Sequence, residues 1–246
     1  MSSPKDRIGV GIIGCGKISQ AYFDGAKTFE VLNILACADL NEATAQAKAE
    51  ENGCEAMSIA GLLAHPEIQL VINLTIPAAH AAVSRDILKA GKHAYCEKPL
   101  TVQLEDAQDL LVLAKSKGLL IGCAPDTFFG AGIQTCREIV DSGEVGTITS
   151  GTAFMLCAGP ESWHPNPGFY YLLGGGPVFD MAPYYLTALV SLIGPIKRVC
   201  AMTTKAHESR IASSPEREGE VLPVEVNTHA SGTLEFHSGA IITAVF

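Results

Sequence analysis

The chain has 246 residues, room for one large domain or two ordinary ones, and its 26 acidic against 17 basic side chains leave a formal charge of −9. That sign argues against nucleic acid as a main partner, because phosphate binding rests on clustered Lys and Arg. Apolar residues make up 48% and charged ones 17%, a balance that argues against disorder and supplies an ample core.

In chain order, residues 8–13 are predicted as a short apolar strand running into glycine, followed by a helix over 18–28. A strand over 31–38 and an Ala/Glu/Lys-rich helix over 42–52 come next, the latter stopped by Gly53. Residues 70–75 read as a strand, 78–90 as a helix closed by Gly91, and 93–96 as another strand. Thr101 is expected to cap a helix that runs to Lys117 and ends at Gly118, before a strand over 119–123. Repeated β–α units of this length predict an α/β domain over 1–124, a doubly wound parallel sheet with helices on both faces.

From Pro125 the rhythm changes. A helix over 133–142, a long strand over 147–157, a Pro/Gly/aromatic loop over 158–176 and a helix over 178–192 are expected. Strands over 198–205, 224–236 and 240–246 complete an α+β second domain, 125–246, with a mostly antiparallel open sheet. Phe246 ends inside an apolar strand with no polar residue to blunt an edge; either a second copy covers that edge, giving a homo-oligomer, or the chain is shortened at its C-terminus.

No apolar run reaches the ~18–20 residues of a membrane span. The start, residues 1–7, has neither the length nor the cleavage pattern of a secretory signal. The eight cysteines are scattered without a C-x-x-C pair and read as reduced, buried thiols of a cytoplasmic protein. The histidine spacing is not that of a metal site.

Gly14-Cys15-Gly16-Lys17-Ile18-Ser19 follows the first strand and opens the first helix. Gly14 suits the tight turn, Gly16 the approach of a pyrophosphate, and the helix start at Lys17 and Ile18 its charge. A second G-x-G-x-x-G register, Gly9–Gly14, lies within the strand and is set aside. Asp39 ends the second strand where a carboxylate would bond the adenine ribose hydroxyls; the alternative is a helix N-cap. A carboxylate there repels a 2′-phosphate, so NAD is expected over NADP.

Glu97-Lys98-Pro99, preceded by Ala90-Gly91-Lys92-His93, resembles the signature of the Gfo/Idh/MocA oxidoreductases. Thr75-Ile76-Pro77 with His80, and Gly174-Gly175-Gly176-Pro177 with Asp180, match in the same order along nearly the whole chain. The resemblance implies a Rossmann domain joined to an α/β domain whose open sheet mediates oligomerisation. It also implies oxidation or reduction of sugars or polyols with a nicotinamide cofactor, and a cis Lys98–Pro99 peptide. Thr75, Pro77, His80, Glu97 and Lys98 are then expected beside the cofactor.

Lys98, at the C-terminal end of a parallel strand, can bond a substrate hydroxyl and stabilise the alkoxide formed as hydride leaves. Glu97 can orient Lys98 or the nicotinamide carboxamide. Asp180 and Tyr184 are spaced i, i+4 and are expected on one helix face, Asp180 positioning substrate. Tyr184 stands where the family usually has a His acid/base, so either Tyr184 or Lys98 takes the proton, or Tyr184 is core packing. Trp163 and His164, in an aromatic loop suited to a polyol, and Asp126 are candidate substrate contacts. Two rivals share the fold: a non-catalytic NAD/sugar sensor, and a glycoside-cleaving enzyme working through transient oxidation.

Overall fold

The computed structural model describes residues 7–246, so the N-terminal segment read above for a leader lies, but for Arg7, outside the described residues. The chain divides into two compact units at Ala124/Pro125. In the first, β1 (Ile8–Ile13), β2 (Leu32–Ala38), β3 (Glu55–Ala56), β4 (Ile68–Asn73), β5 (His93–Glu97) and β6 (Ile121–Ala124) form one sheet of order β3-β2-β1-β4-β5-β6. Every pairing is parallel. Helices α1 (Ser19–Ala26), α2 (Glu42–Asn52), α3 (Ile59–Ala64), α4 (Pro77–Lys89) and α5 (Leu104–Ser116) connect the strands.

Period-two alternation sends neighbouring residues of β1 to opposite faces. Ile13 joins Leu62, Val71, Ile87, Leu88 and Leu110 on one side, while Val10 and Ile12 join Phe23, Cys37 and Ile72 on the other. Each such fully buried side chain contributes roughly 1.5–3 kcal/mol, which commits the strand to its register. The strand order reverses between β1 and β4, and at such a switch point a crevice opens at the carboxyl ends of the strands.

Thr101 does not cap α5: its hydroxyl donates to the Gln103 carbonyl (2.7 Å) instead of accepting from helix amides, and Gln103 occupies the cap position. The two-residue β3 and the short α3 have too few residues for a periodic signal and were not foreseen.

In the second unit, α6 (Ala131–Asp141) precedes β7 (Ser150–Phe154). Then come α7 (Gly176–Asp180), α8 (Ala182–Ile193), β8 (Ile196–Thr204), β9 (Ser209–Ile211), β10 (Val221–Pro223), β11 (His229–Phe236) and β12 (Ile241–Val245). The main sheet has the order β7-β12-β11-β8, with β7 parallel to β12 and the other pairs antiparallel. One face buries Leu234, Phe236, Ile242, Ala244 and Phe246 against Ala182, Tyr185, Leu186 and Leu189 of α8.

Three expectations are corrected here. The single helix over 178–192 is broken at Met181, because Pro183 has no amide hydrogen to donate and its ring would strike the carbonyl four residues back; the proline sits instead in the first turn of α8. Residues 240–246 are not an edge: β12 lies between β7 and β11, and Phe246 exchanges two backbone hydrogen bonds with Ala230 (2.7 and 2.8 Å). The polar stretch before residue 224 is not all loop, since β9 and β10 pair as a separate antiparallel ribbon. The cysteines also divide: Cys15, Cys37 and Cys96 are buried, whereas Cys136, Cys157 and Cys200 are exposed. Among the described residues no helix is long and apolar enough to cross a membrane, and no cluster of three or more His, Cys, Asp or Glu could hold a metal.

Candidate functional site

Gly14 turns the chain out of β1 with φ of 101°, and a Cβ there would lie 2.6 Å from the backbone carbonyl of Leu74. Only glycine meets both demands. At Gly16 the reverse holds: no heavy atom comes within 4 Å of the place a Cβ would take. Ser19 is buried, and its hydroxyl (2.7 Å) and amide (3.1 Å) both donate to the Gly16 carbonyl, which fixes the loop onto the start of α1. Lys17 and Ile18 are exposed beside it.

Asp39 closes the loop from the side. Its Oδ2 accepts from the Cys15 amide (2.8 Å) and its Oδ1 from the Asn41 amide (2.9 Å). The N-cap of α2 is Asn41, whose side chain takes the Ala43 and Thr44 amides, so the capping alternative for Asp39 is set aside. Open room at Gly16, the first amides of α1 and a fixed carboxylate fit a dinucleotide: pyrophosphate at the loop, ribose hydroxyls at Asp39.

Beyond β4, the Asn73 carboxamide receives the Thr75 amide (3.2 Å) and hydroxyl (2.7 Å) and donates to the His80 carbonyl and Ser84 hydroxyl (both 3.1 Å). Pro77 starts α4. His80 is buried, with Nε2 2.9 Å from the Thr75 carbonyl and Nδ1 2.6 Å from that of Pro99. Its ring therefore addresses backbone, tying the Thr75 loop to the Glu97-Lys98-Pro99 segment. Within that segment the Lys98–Pro99 peptide is cis. The Glu97 carboxylate accepts the Lys98 amide at Oε2 (2.8 Å) and the Tyr22 hydroxyl at Oε1 (2.9 Å). Lys98 itself is half-buried just past the end of β5. Sequence reasoning missed Tyr22, since nothing local links positions 22 and 97.

In the second unit, Asp180 ends α7 and Tyr184 lies in the first turn of α8. The two residues therefore belong to different helices, separated by the single residue Met181, which keeps an αR backbone. The Asp180 carboxylate accepts the Tyr170 hydroxyl (2.8 Å). Burial, with the Asp180 charge behind it, pushes the Tyr170 hydroxyl well above the ordinary phenol range, so it stays a donor. Tyr170 also lines a cavity of about 210 Å³ with Tyr171, Arg210, Cys157 and His229. Trp163, His164 and Asp126 do not line it. The Trp163 and His164 rings meet edge-on at 5.4 Å with the indole largely exposed, and Asp126 is exposed ahead of a 3₁₀ turn over Thr127–Phe129.

Glu161 organises the wall of this cavity. It is buried, accepts the Tyr171 hydroxyl (2.7 Å) and pairs with the Arg210 guanidinium, which also donates to the Ala158 carbonyl. Burial opposes the carboxylate, but the Tyr171 and Arg210 bonds outweigh it and hold the group below the usual carboxylate range. A carboxylate whose folded pKa is depressed stabilises the fold above its unfolded pKa of about 4.3 and loses that contribution as pH falls through the folded value. In thermal melts, the gap between wild type and Glu161→Gln should therefore be widest at neutral pH and narrow as pH falls below about 4. A gap constant from pH 7 to pH 3 would contradict this ion pair.

Residues 8–124 match the family described as oxidoreductase family, NAD-binding Rossmann fold, and residues 133–246 match the GFO/IDH/MocA C-terminal domain. The chain belongs to the Gfo/Idh/MocA oxidoreductase family. D-glucoside 3-dehydrogenase of Escherichia coli (strain K12) is 28% identical over 95% of the chain and 68% of that protein. A dTDP-3,4-didehydro-2,6-dideoxy-alpha-D-glucose 3-reductase of Saccharopolyspora spinosa is 30% identical over 82% of the chain and 61% of that protein. Among solved structures, levoglucosan dehydrogenase in complex with NADH and L-sorbose superposes with a TM-score of 0.83 at 21% identity, over 97% of the chain and 66% of that protein; at this identity it bears on fold alone. The chain spans about half the length of the curated relatives it matches, from 37% to 68%. The first unit of this Gfo/Idh/MocA protein is an NAD-binding Rossmann domain.

Proposed function

We propose that this protein is an NAD-dependent oxidoreductase that moves hydride between a CH–OH carbon of a sugar or polyol and nicotinamide. The reading assigns cofactor binding to residues 1–124, and substrate binding with oligomerisation to 125–246. The observation that carries it is Lys98 at the carboxyl end of a parallel strand, its backbone fastened by Glu97, in the unit whose loop fits a dinucleotide.

Bound nicotinamide supplies the hydride acceptor or donor. The Gly14, Gly16, Lys17 and Ile18 segment holds the pyrophosphate and Asp39 the ribose, while Thr75, Pro77 and Glu97 border the nicotinamide end and His80 keeps their backbone in place. The Lys98 ammonium donates to the substrate hydroxyl and stabilises the alkoxide that develops on it. Asp180, kept in place by Tyr170, accepts from a second substrate hydroxyl, with Trp163, His164 and Asp126 as further contacts. The proton leaves through Tyr184 or Lys98. Screening sugars and inositols with NAD for growth of the NADH absorbance band tests the proposal, and a turnover-free panel would sink it. Tyr184 in the family's usual His position favours one rival, a sensor; sugars that shift NADH affinity without turnover would support that reading instead. We place it in the cytoplasm, since the eight cysteines are scattered without the paired spacing of a disulfide framework.

NAD should bind more tightly than NADP, because a 2′-phosphate would meet the Asp39 carboxylate. Calorimetry with both cofactors checks this, and tighter NADP binding would unseat Asp39 from the ribose role.

A homo-oligomer through the second-unit sheet is also expected. The face turned away from α8 aligns Phe154, Val245, Ser231 and Met202 across the four strands, with Phe154 57% and Met202 83% exposed. Large apolar side chains left exposed on this open face favour its use as a contact between copies. Light scattering should give a multiple of 25.9 kDa, reduced in Met202→Asp. A monomer at micromolar concentration would refute the assignment.

A further inference from the structure

We propose that Tyr22 is a positioning residue: through Glu97 it ties the dinucleotide loop to Lys98, so that the grip on the nicotinamide half of the cofactor depends on a hydroxyl of α1. The proposal rests on the reading of Glu97 and Lys98 as neighbours of the nicotinamide. Tyr22 lies within one turn of Ser19, whose hydroxyl and amide lock the Gly16 carbonyl. Its ring packs with Tyr95 against the buried cluster of Ile12, Phe23 and Ile72, which fixes where the hydroxyl can reach. That hydroxyl donates to Oε1 of Glu97 across 75 positions of sequence, while Oε2 receives the Lys98 amide.

The terminal torsion of a glutamate is broad and roughly two-fold, so one hydrogen bond leaves the carboxylate free to swing, whereas a donor at each oxygen sets its plane. The Lys98 amide comes from the chain Glu97 must orient. Tyr22 is the donor from a separate element, and that element begins at the pyrophosphate loop. Displacement of α1 therefore moves the carboxylate, and with it the backbone at Lys98.

ADP-ribose, which is the cofactor without nicotinamide, separates this role from general loosening. Tyr22→Phe keeps the ring packing and removes only the donor. By calorimetry, the variant should bind ADP-ribose within about twofold of wild type but NADH about tenfold more weakly, with a melting temperature lowered by only a few degrees. Glu97→Gln, which cannot accept at both atoms, should show the same selective loss. The double variant should be no worse than either single one, because both act through one carboxylate. An unchanged NADH to ADP-ribose ratio in Tyr22→Phe overturns the proposal, as does a full additional loss on top of Glu97→Gln. If Glu97→Gln alone loses NADH selectively, the cofactor reading of Glu97 stands and only Tyr22 is removed from it. If neither variant changes the ratio, that underlying reading fails as well.

Discussion

Lys98→Ala is expected to lower turnover by two to three decades while leaving NADH affinity near that of wild type. The expectation follows from where the ammonium is needed. As hydride departs, negative charge grows on the substrate oxygen, and a fixed donor aimed at that oxygen acts more strongly in the transition state than before it. Loss of one such donor at a developing oxyanion costs roughly 3–4 kcal/mol. The backbone amide of residue 98, which anchors Glu97, survives truncation of the side chain, so the Glu97 carboxylate should keep both donors. Steady-state kinetics on a substrate found in the panel, with NADH titrations alongside, measure both quantities. Near-native kcat would show that Lys98 does not address the reacting oxygen. A parallel loss of NADH affinity would move it to the cofactor.

The two glycines of the dinucleotide loop should fail in opposite ways. Gly14→Ala puts a Cβ against the Leu74 carbonyl while φ is near 101°, outside the region L-residues adopt with ease. Strained backbone of this kind costs about 1–3 kcal/mol before the collision is counted. The variant should melt at least several degrees lower, taking a few degrees per kcal/mol for a chain of this size. Gly16→Ala meets no atom within 4 Å and has no positive φ, so its stability should match wild type. Its methyl instead occupies room that a pyrophosphate needs, and NADH affinity should fall by tenfold or more, about 1.4 kcal/mol or greater. Calorimetric melts and NADH titrations of the pair decide the matter. A Gly16→Ala protein that binds NADH normally would place the phosphates elsewhere.

The first unit was legible because its signals are local. Apolar runs bounded by glycines, and helix stops at Gly53, Gly91 and Gly118, need only a few consecutive residues to read. The carboxylate at Asp39 and the glycine pair were visible for the same reason. What escaped depends on contacts between distant positions. The bond from Tyr22 to Glu97, the tie of His80 to Pro99 and the bond from Tyr170 to Asp180 have no spacing rule behind them. In the second unit, helical periodicity over 178–192 outweighed a single proline, although Pro183 was the residue that decided the boundary. Strand 240–246 was read as an edge because period-two alternation says which face is buried but not which strand lies alongside.

The hold of Asp39 on the loop has a consequence for anyone wishing to redesign the cofactor preference. The usual route toward a phosphorylated ribose is to delete the acidic side chain at this position. Here both of its oxygens already serve backbone donors, Cys15 in the glycine turn and Asn41 at the start of α2. Asparagine offers one acceptor and turns an amide group toward the other donor; serine is too short to reach both. Any neutral replacement thus unlatches the glycine turn, to which the proposed reading assigns the pyrophosphate of either cofactor. If Asp39 also sets the preference, as proposed, one side chain carries both discrimination and grip, and a switch would have to come from a cation added nearby, with the carboxylate left where it is.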